Sequence, residues 1–141
     1  MTTFDFGKGR VPAHQHPNGG GWVADTATVS NSAYVGPNAV VYGYAWVSGN
    51  AEVYDNARVS GDALVSGYAE VYDNAWVYDD AWVSGRARVY DNVRVSGDAV
   101  VTDNAVVAGN VRVYGHARVY GNAWVSGHAW VSGHAWVTGN E

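Results

Sequence analysis

Valine recurs at every sixth position from 23 to 137, twenty times without a break. Two residues before each valine stands a small residue: Gly21 once, alanine seventeen times, and valine at positions 93 and 111. Two and three residues after it come turn formers, mostly Gly or Asp followed by Asn, Asp or His. Side chains alternate faces along a strand, so each Ala and the Val that follows it point the same way. That way is inward, and the residues flanking Val point outward. The next two residues turn the corner, because Gly and Asn tolerate positive φ. Each hexad is one short strand plus one corner.

A longer period sets the number of sides. The segments starting at Ala51, Ala69 and Ala87 read AEVYDNARVSGD, AEVYDNAWVYDD and ARVYDNVRVSGD, a recurrence every 18 residues. Like residues stack at that spacing, with Asn56, Asn74 and Asn92 in one column and Ser48, Ser66 and Ser84 in another. Three hexads per turn make a triangular coil, with ~4.8 Å between coils. The sequence predicts an all-β chain: a single-stranded parallel β-helix, or triangular β-solenoid, of six to seven coils with 18 residues per coil. Parallel pairing between coils satisfies the backbone, and the core is a narrow stack of Val and Ala.

Aliphatic at i, Asn or Asp at i+3 and a small residue at i+4, repeated in sixes, resembles the hexapeptide-repeat left-handed β-helix superfamily over residues 22–139. One detail departs: that superfamily often has Gly at i+1, whereas Gly or Asp here sits at i+2. The left hand is implied by the resemblance alone, since general crossover rules favour a right hand. The resemblance also implies trimers packed about an axis parallel to the prism, and a bacterial or phage source.

Residues 1–21 stand outside the repeat and are expected to form an N-terminal cap on the hexapeptide β-helix of residues 22–141. They hold Phe4, Phe6, the single lysine Lys8, Pro12, Pro17 and the run Gly19-Gly20-Gly21. A first coil exposes unpaired backbone and apolar side chains that need covering. Phe4 and Phe6 alternate around Asp5, as a short strand laid over that end requires. The net charge of −5 argues against a nucleic-acid partner. The absence of cysteine removes disulfides and thiolate metal sites. There is no apolar signal region and no 18-residue apolar run, which predicts a chain without a membrane partner, cytoplasmic or virion-associated.

All seven tryptophans take the outward position before Val, and all ten tyrosines lie outward or at corners. Aromatic ladders suit strands, yet so much outward aromatic surface also marks interfaces. The first face carries Trp22, Val40, Arg58, Trp76, Arg94, Arg112 and Trp130, and the third carries Tyr34, Glu52, Glu70, Arg88, Val106 and Trp124. The second carries Thr28, Trp46, Leu64, Trp82, Val100, Arg118 and Trp136 beside a Ser/Thr column, without charge from Thr28 to Thr102. Trp46, Leu64, Trp82 and Val100 are therefore the candidate homo-oligomer interface. Trp124, Trp130 and Trp136 put one tryptophan on each face of the last coil, just before the sequence ends at Glu141. That coil is expected to be covered by another subunit. A flat solenoid with a hydroxyl column also resembles some ice-binding proteins, although the neighbouring column is bulky and irregular rather than Thr-rich.

Two residue sets raise the question of metal. His14 and His16, separated by one residue, point the same way on a strand and are the metal-ligand candidates. Their competing role is to hydrogen-bond within a Gly/Pro-rich cap. Asp55, Asp73 and Asp91 stack at one corner, and Asp62, Asp80 and Asp98 at another. Stacked carboxylates repel, which Ca²⁺ relieves, or else they are solvated turn acids bonding their own backbone. No cofactor is expected beyond these. His116, His128 and His134 sit in the turn slot usually held by Asn, with His116 and His134 stacked.

Enzymes of the resembled superfamily use catalytic histidines on loops extruded from the coils, or three histidines gathered between subunits as in γ-class carbonic anhydrase. No insertion interrupts residues 22–139, so no pocket of the usual kind is expected there and no catalytic residue is assigned. The reading is a non-enzymatic, rigid, oligomeric structural or binding module whose ligand is unknown. The alternative is a trimeric acyltransferase-like or carbonic-anhydrase-like enzyme with an intersubunit histidine site.

Overall fold

The computed structural model describes residues 2–139. Every element in it is a strand, and the strands form three sheets. The first has nine strands: β1 (Thr3–Asp5), β2 (Arg10–Gln15), β3 (Trp22–Ala24), then the strands beginning at Val40, Arg58, Trp76, Arg94, Arg112 and Trp130. The second has seven, beginning at Thr28, Trp46, Leu64, Trp82, Val100, Arg118 and Trp136, and the third has six, beginning at Tyr34, Glu52, Glu70, Arg88, Val106 and Trp124. From β3 onward every pairing is parallel and offset by 18 residues, as in Leu64 with Trp82 and Val65 with Val83. The molecule is a three-sided β-solenoid of about six turns. Among the described residues no helix is long and apolar enough to cross a membrane.

The backbone bonds explain why a strand of two residues suffices. In one hexad, the Trp46, Ser48 and Asn50 N–H groups donate to Ala63, Val65 and Gly67 oxygens at 2.8–2.9 Å in the next coil. The Ala51 N–H closes the corner onto the Ser48 carbonyl at 3.3 Å. Each coil is thus held to its neighbour around its whole perimeter, corners included. Val35 to Val119 of the valine column and Ala33 to Ala117 of the alanine column are fully buried.

The corner chemistry differs from the expectation in one respect. The residue in the left-handed region is the first of the pair, not the Asn. Gly43, Gly49 and Gly61 lie there, and so do Asp55, Asp73, Asp79, Asp91 and Asp103, with φ of 56–63° for the aspartates. This accounts for Gly or Asp at i+2: Gly has no Cβ to clash, and Asp adopts this region more readily than most residues. Space is tight as well, because a Cβ on Gly85 would come 2.8 Å from the Asp103 nitrogen in the coil beyond.

The N-terminal segment is not a strand laid flat over the end. β2 pairs antiparallel with β3, Ala13 opposite Ala24, and β1 pairs antiparallel with β2, so both extend the first sheet. The hairpin then curls back outside the solenoid. Phe4 stacks on Trp22 (4.8 Å, 20°) and Phe6 on Tyr42 (5.0 Å, 17°). The covering role falls to residues 16–21. Asn18 O accepts the Val35 N–H at 3.1 Å, Gly21 N–H donates to Val35 O at 3.0 Å, and His16 and Asn18 side chains both bond the Ala33 carbonyl. Side chains at Gly19 and Gly21 would overlap Val35, which explains the glycine run. The first and third sheets are covered in this way, whereas Val29 at the top of the second stays partly exposed. At the other end Ala129 and Ala135 are exposed although they hold core positions in the repeat.

Candidate functional site

The 18-residue register puts the second-face residues in one column. Trp46 pairs with Leu64, Leu64 with Trp82, Trp82 with Val100, and Val100 with Arg118. Because the strands turn Val inward, these side chains project outward, and Trp46 and Trp82 remain 53% and 52% exposed. Ser84 Oγ bonds Thr102 Oγ1 at 3.0 Å beside them. The column is uncharged until Arg118. Trp124, Trp130 and Trp136 of the last coil are 67–70% exposed. Trp130 meets Tyr114 edge-on and lies under the Arg112 guanidinium at 5.8 Å, and Trp136 meets Tyr120 edge-on. Glu141, beyond them, lies outside the described residues.

The third face behaves differently. Tyr54, Tyr72 and Tyr90 stack at 4.8 and 4.9 Å with nearly parallel rings. The Tyr54 hydroxyl donates to Glu70 Oε1 at 3.0 Å, and Arg88 lies 3.9 Å from Glu70 Oε2. Burial, then the hydrogen bond to Glu70, pushes the Tyr54 hydroxyl well above the usual tyrosine range. Burial, then the neighbouring Tyr90, raises that of Tyr72. The ladder is held by ring stacking along its length and by the Tyr54–Glu70–Arg88 contacts beside it.

The structure separates the surroundings of His14 and His16. His14 is exposed, with Nδ1 2.7 Å from Asp25 Oδ1. His16 is 2% exposed, and its Nε2 lies 2.8 Å from the Ala33 carbonyl oxygen, where the protonated ring nitrogen donates. His116 and His134 stack at 5.0 Å, and His116 Nδ1 lies 3.6 Å from Asp98 Oδ2. His128 lies at another corner, beside Asn110. Among the described residues no three His, Cys, Asp or Glu side chains gather as a metal-binding group.

The stacked aspartates line a groove of about 550 Å³ with Asn38, Asn56, Asn74, Asn92 and Asn110. Two of the three carboxylates, those of Asp73 and Asp91, bond the next coil's backbone. Asp73 Oδ2 accepts the Asp91 N–H at 3.3 Å, and Asp91 Oδ2 accepts the Gly109 N–H at 2.9 Å. Asp79 and Asp103 do the same for Gly97 and Gly121 at their corners. Burial, followed by the carboxyls of Asp55 and Asp91, holds Asp73 above the usual carboxylate range, against the opposing Asp91 N–H bond.

A cleft absent from the sequence reading lies under the curled hairpin. It has a volume of about 790 Å³ and is lined by Phe6–Gly9, Val11 and Pro12 on one side and by Thr26, Tyr42, Arg58, Ser60 and Trp76 on the other. The uninterrupted coils supply only its floor. The wall is built by the non-repeating segment, so the repeat of the coils carries no sign of it. The signal was Phe4, Phe6 and Lys8, residue types found nowhere else in this chain for Phe and Lys. Ser60 is buried and accepts the Trp76 Nε1–H at 3.0 Å, fixing the indole. Arg58 and Arg94, its neighbours in the ladder, place their guanidiniums 5.6 and 5.4 Å from its ring.

The family described as the YdcK beta solenoid repeat matches this chain at residues 51–67, 57–71, 87–103 and 111–127. No curated protein and no solved structure matches it. Together with the stacked parallel coils, the repeat match identifies the chain as a β-solenoid repeat protein.

Proposed function

We propose that the chain is a rigid, non-enzymatic structural and interaction module that assembles with copies of itself through its second face. The observation that carries this reading is the uncharged column of Trp46, Leu64, Trp82 and Val100, in register and projecting from a backbone bonded to its neighbours on both sides. Each large apolar side chain removed from water contributes about 1.5–3 kcal/mol, and a rigid face loses little further entropy on docking. The trimer and the left hand of the hexapeptide superfamily belong to this reading, with a phage component as one setting. The exposed tryptophans of the last coil fit a second, end-on contact. The non-enzymatic part rests on the uninterrupted coils and on histidines dispersed among separate carbonyl, aspartate and imidazole partners.

Light scattering tests it. The wild type is expected at three times the 15.0 kDa chain mass. Leu64→Glu combined with Trp82→Arg is expected at one chain mass with an unchanged far-UV spectrum, because the two side-by-side charges would have to be desolvated in an apolar contact, and neither touches the core. A wild type that is monomeric at high concentration overturns the proposal.

A further inference from the structure

The cleft beneath the curled hairpin has a different character from the second face. We propose that it binds a small planar organic anion, an aromatic ring carrying a carboxylate. Its volume of about 790 Å³ falls in the ~300–1,000 Å³ range of small-molecule sites. Its apolar walls are Phe6, stacked on Tyr42 at 5.0 Å, together with Val11, Pro12 and Trp76. A flat ring suits such walls, since aromatic groups pack offset or edge-on against one another. The site is preorganised: the indole of Trp76 is held by Ser60, and the hairpin tip is held by Asp5 Oδ1, which accepts the Gly7 and Gly9 N–H groups at 2.7 and 3.1 Å.

The charge points to an acid. Lys8 and Arg58 both line the cleft, in a chain whose net charge is −5. Among the described residues neither forms an ion pair. The one carboxylate in the lining, Asp25, is engaged by His14 at 2.7 Å. The outward positions of the first face below the cleft add Arg94 and Arg112 and no acid. A carboxylate in the cleft would therefore meet cations that lack an anionic partner, and a charge-assisted bond to a guanidinium is the strong kind.

The test titrates 2-naphthoate into the full chain by isotope-edited NMR. Saturable binding is expected, with shifts centred on Phe6, Tyr42, Ser60 and Trp76. The neutral analogue 2-naphthalenemethanol is expected to bind roughly tenfold more weakly, as loss of one charge-assisted bond implies. Arg58→Gln with Lys8→Gln is expected to abolish that preference while leaving the thermal midpoint in place. Should the double variant unfold, Lys8→Gln alone, at the exposed tip of the hairpin, still has to reduce the preference. Equal binding of the alcohol by wild type, shifts centred on Trp124, Trp130 and Trp136, or no saturation by about 10 mM overturns the proposal.

Discussion

Asp73 shows how one corner residue answers to several demands. It adopts a φ of 59°, accepts the Asp91 N–H from the next coil, and lies in a column with Asp55 and Asp91. Burial and the neighbouring carboxyls raise its pKa. An acid raised in the folded chain keeps its proton after the unfolded chain has lost it, so the folded state binds more protons in that window. Stability contributed this way is fully present below the unfolded value of about 4 and falls as pH rises through the folded value. Asp73→Asn removes the titration, while its amide oxygen still accepts the Asp91 N–H and Asn still tolerates the backbone. The variant is expected to melt close to wild type near pH 4 and increasingly above it toward pH 7. Parallel melting curves across that range would show that Asp73 carries no such strain. The sequence revealed the acid column but not its bonding. Of the readings available from it, acids turned on their own backbone requires a local donor, whereas the donor to Asp73 is a residue 18 positions away.

At the scale of the element, a two-residue strand has no stability of its own and exists only between its neighbours. Val71 is fully buried, its strand paired with those of Val53 and Val89 on either side. Val71→Asp puts an unpaired charge into a core of Val and Ala that has no polar group to answer it, and is expected to abolish the folded far-UV spectrum. Val137, on the edge strand and partly exposed, gives the contrast: Val137→Asp is expected to shift the midpoint little. A folded, wild-type-like Val71→Asp would remove valine from the core. The strand positions, the register and the three faces were legible because valine and alanine have one inward slot each and the longer period leaves one way to stack them. The hairpin was not. Phe4 and Phe6 alternate correctly for a strand, but alternation does not say which surface a strand folds against. Stacking on Trp22 and Tyr42 decided that, and the cleft exists only because of it. His14 and His16 show the same limit: two residues apart on paper, one ends at an exposed aspartate and the other at a buried carbonyl.

Over residues 2–139 the solenoid is a one-dimensional array whose first and last described coils differ. In such an array each coil is stabilised by its own folding and by two neighbours, and a terminal coil has one neighbour fewer. The upper end is compensated: β2 covers the first sheet and residues 16–21 cover the third, so Val23 and Val35 are fully buried. The last described coil has no comparable cover. Ala129 and Ala135 are exposed there, whereas Ala117, one coil above Ala135, is fully buried. Opening should therefore begin at that coil and advance toward the middle, with local free energies rising from near zero to the global value. The Leu64→Glu, Trp82→Arg chain, measured dilute enough to leave the end-on contact open, provides the measurement without association through the second face. In it, amides from Trp124 to Thr138 are expected to exchange fastest among the coils, and those from Val71 to Val101 slowest. The amides of the first coil should exchange more slowly than those of the last, because the cap holds two of its three sides. Uniform protection along the prism would mean that the coils open together, and that the solenoid behaves as one cooperative unit rather than as an array.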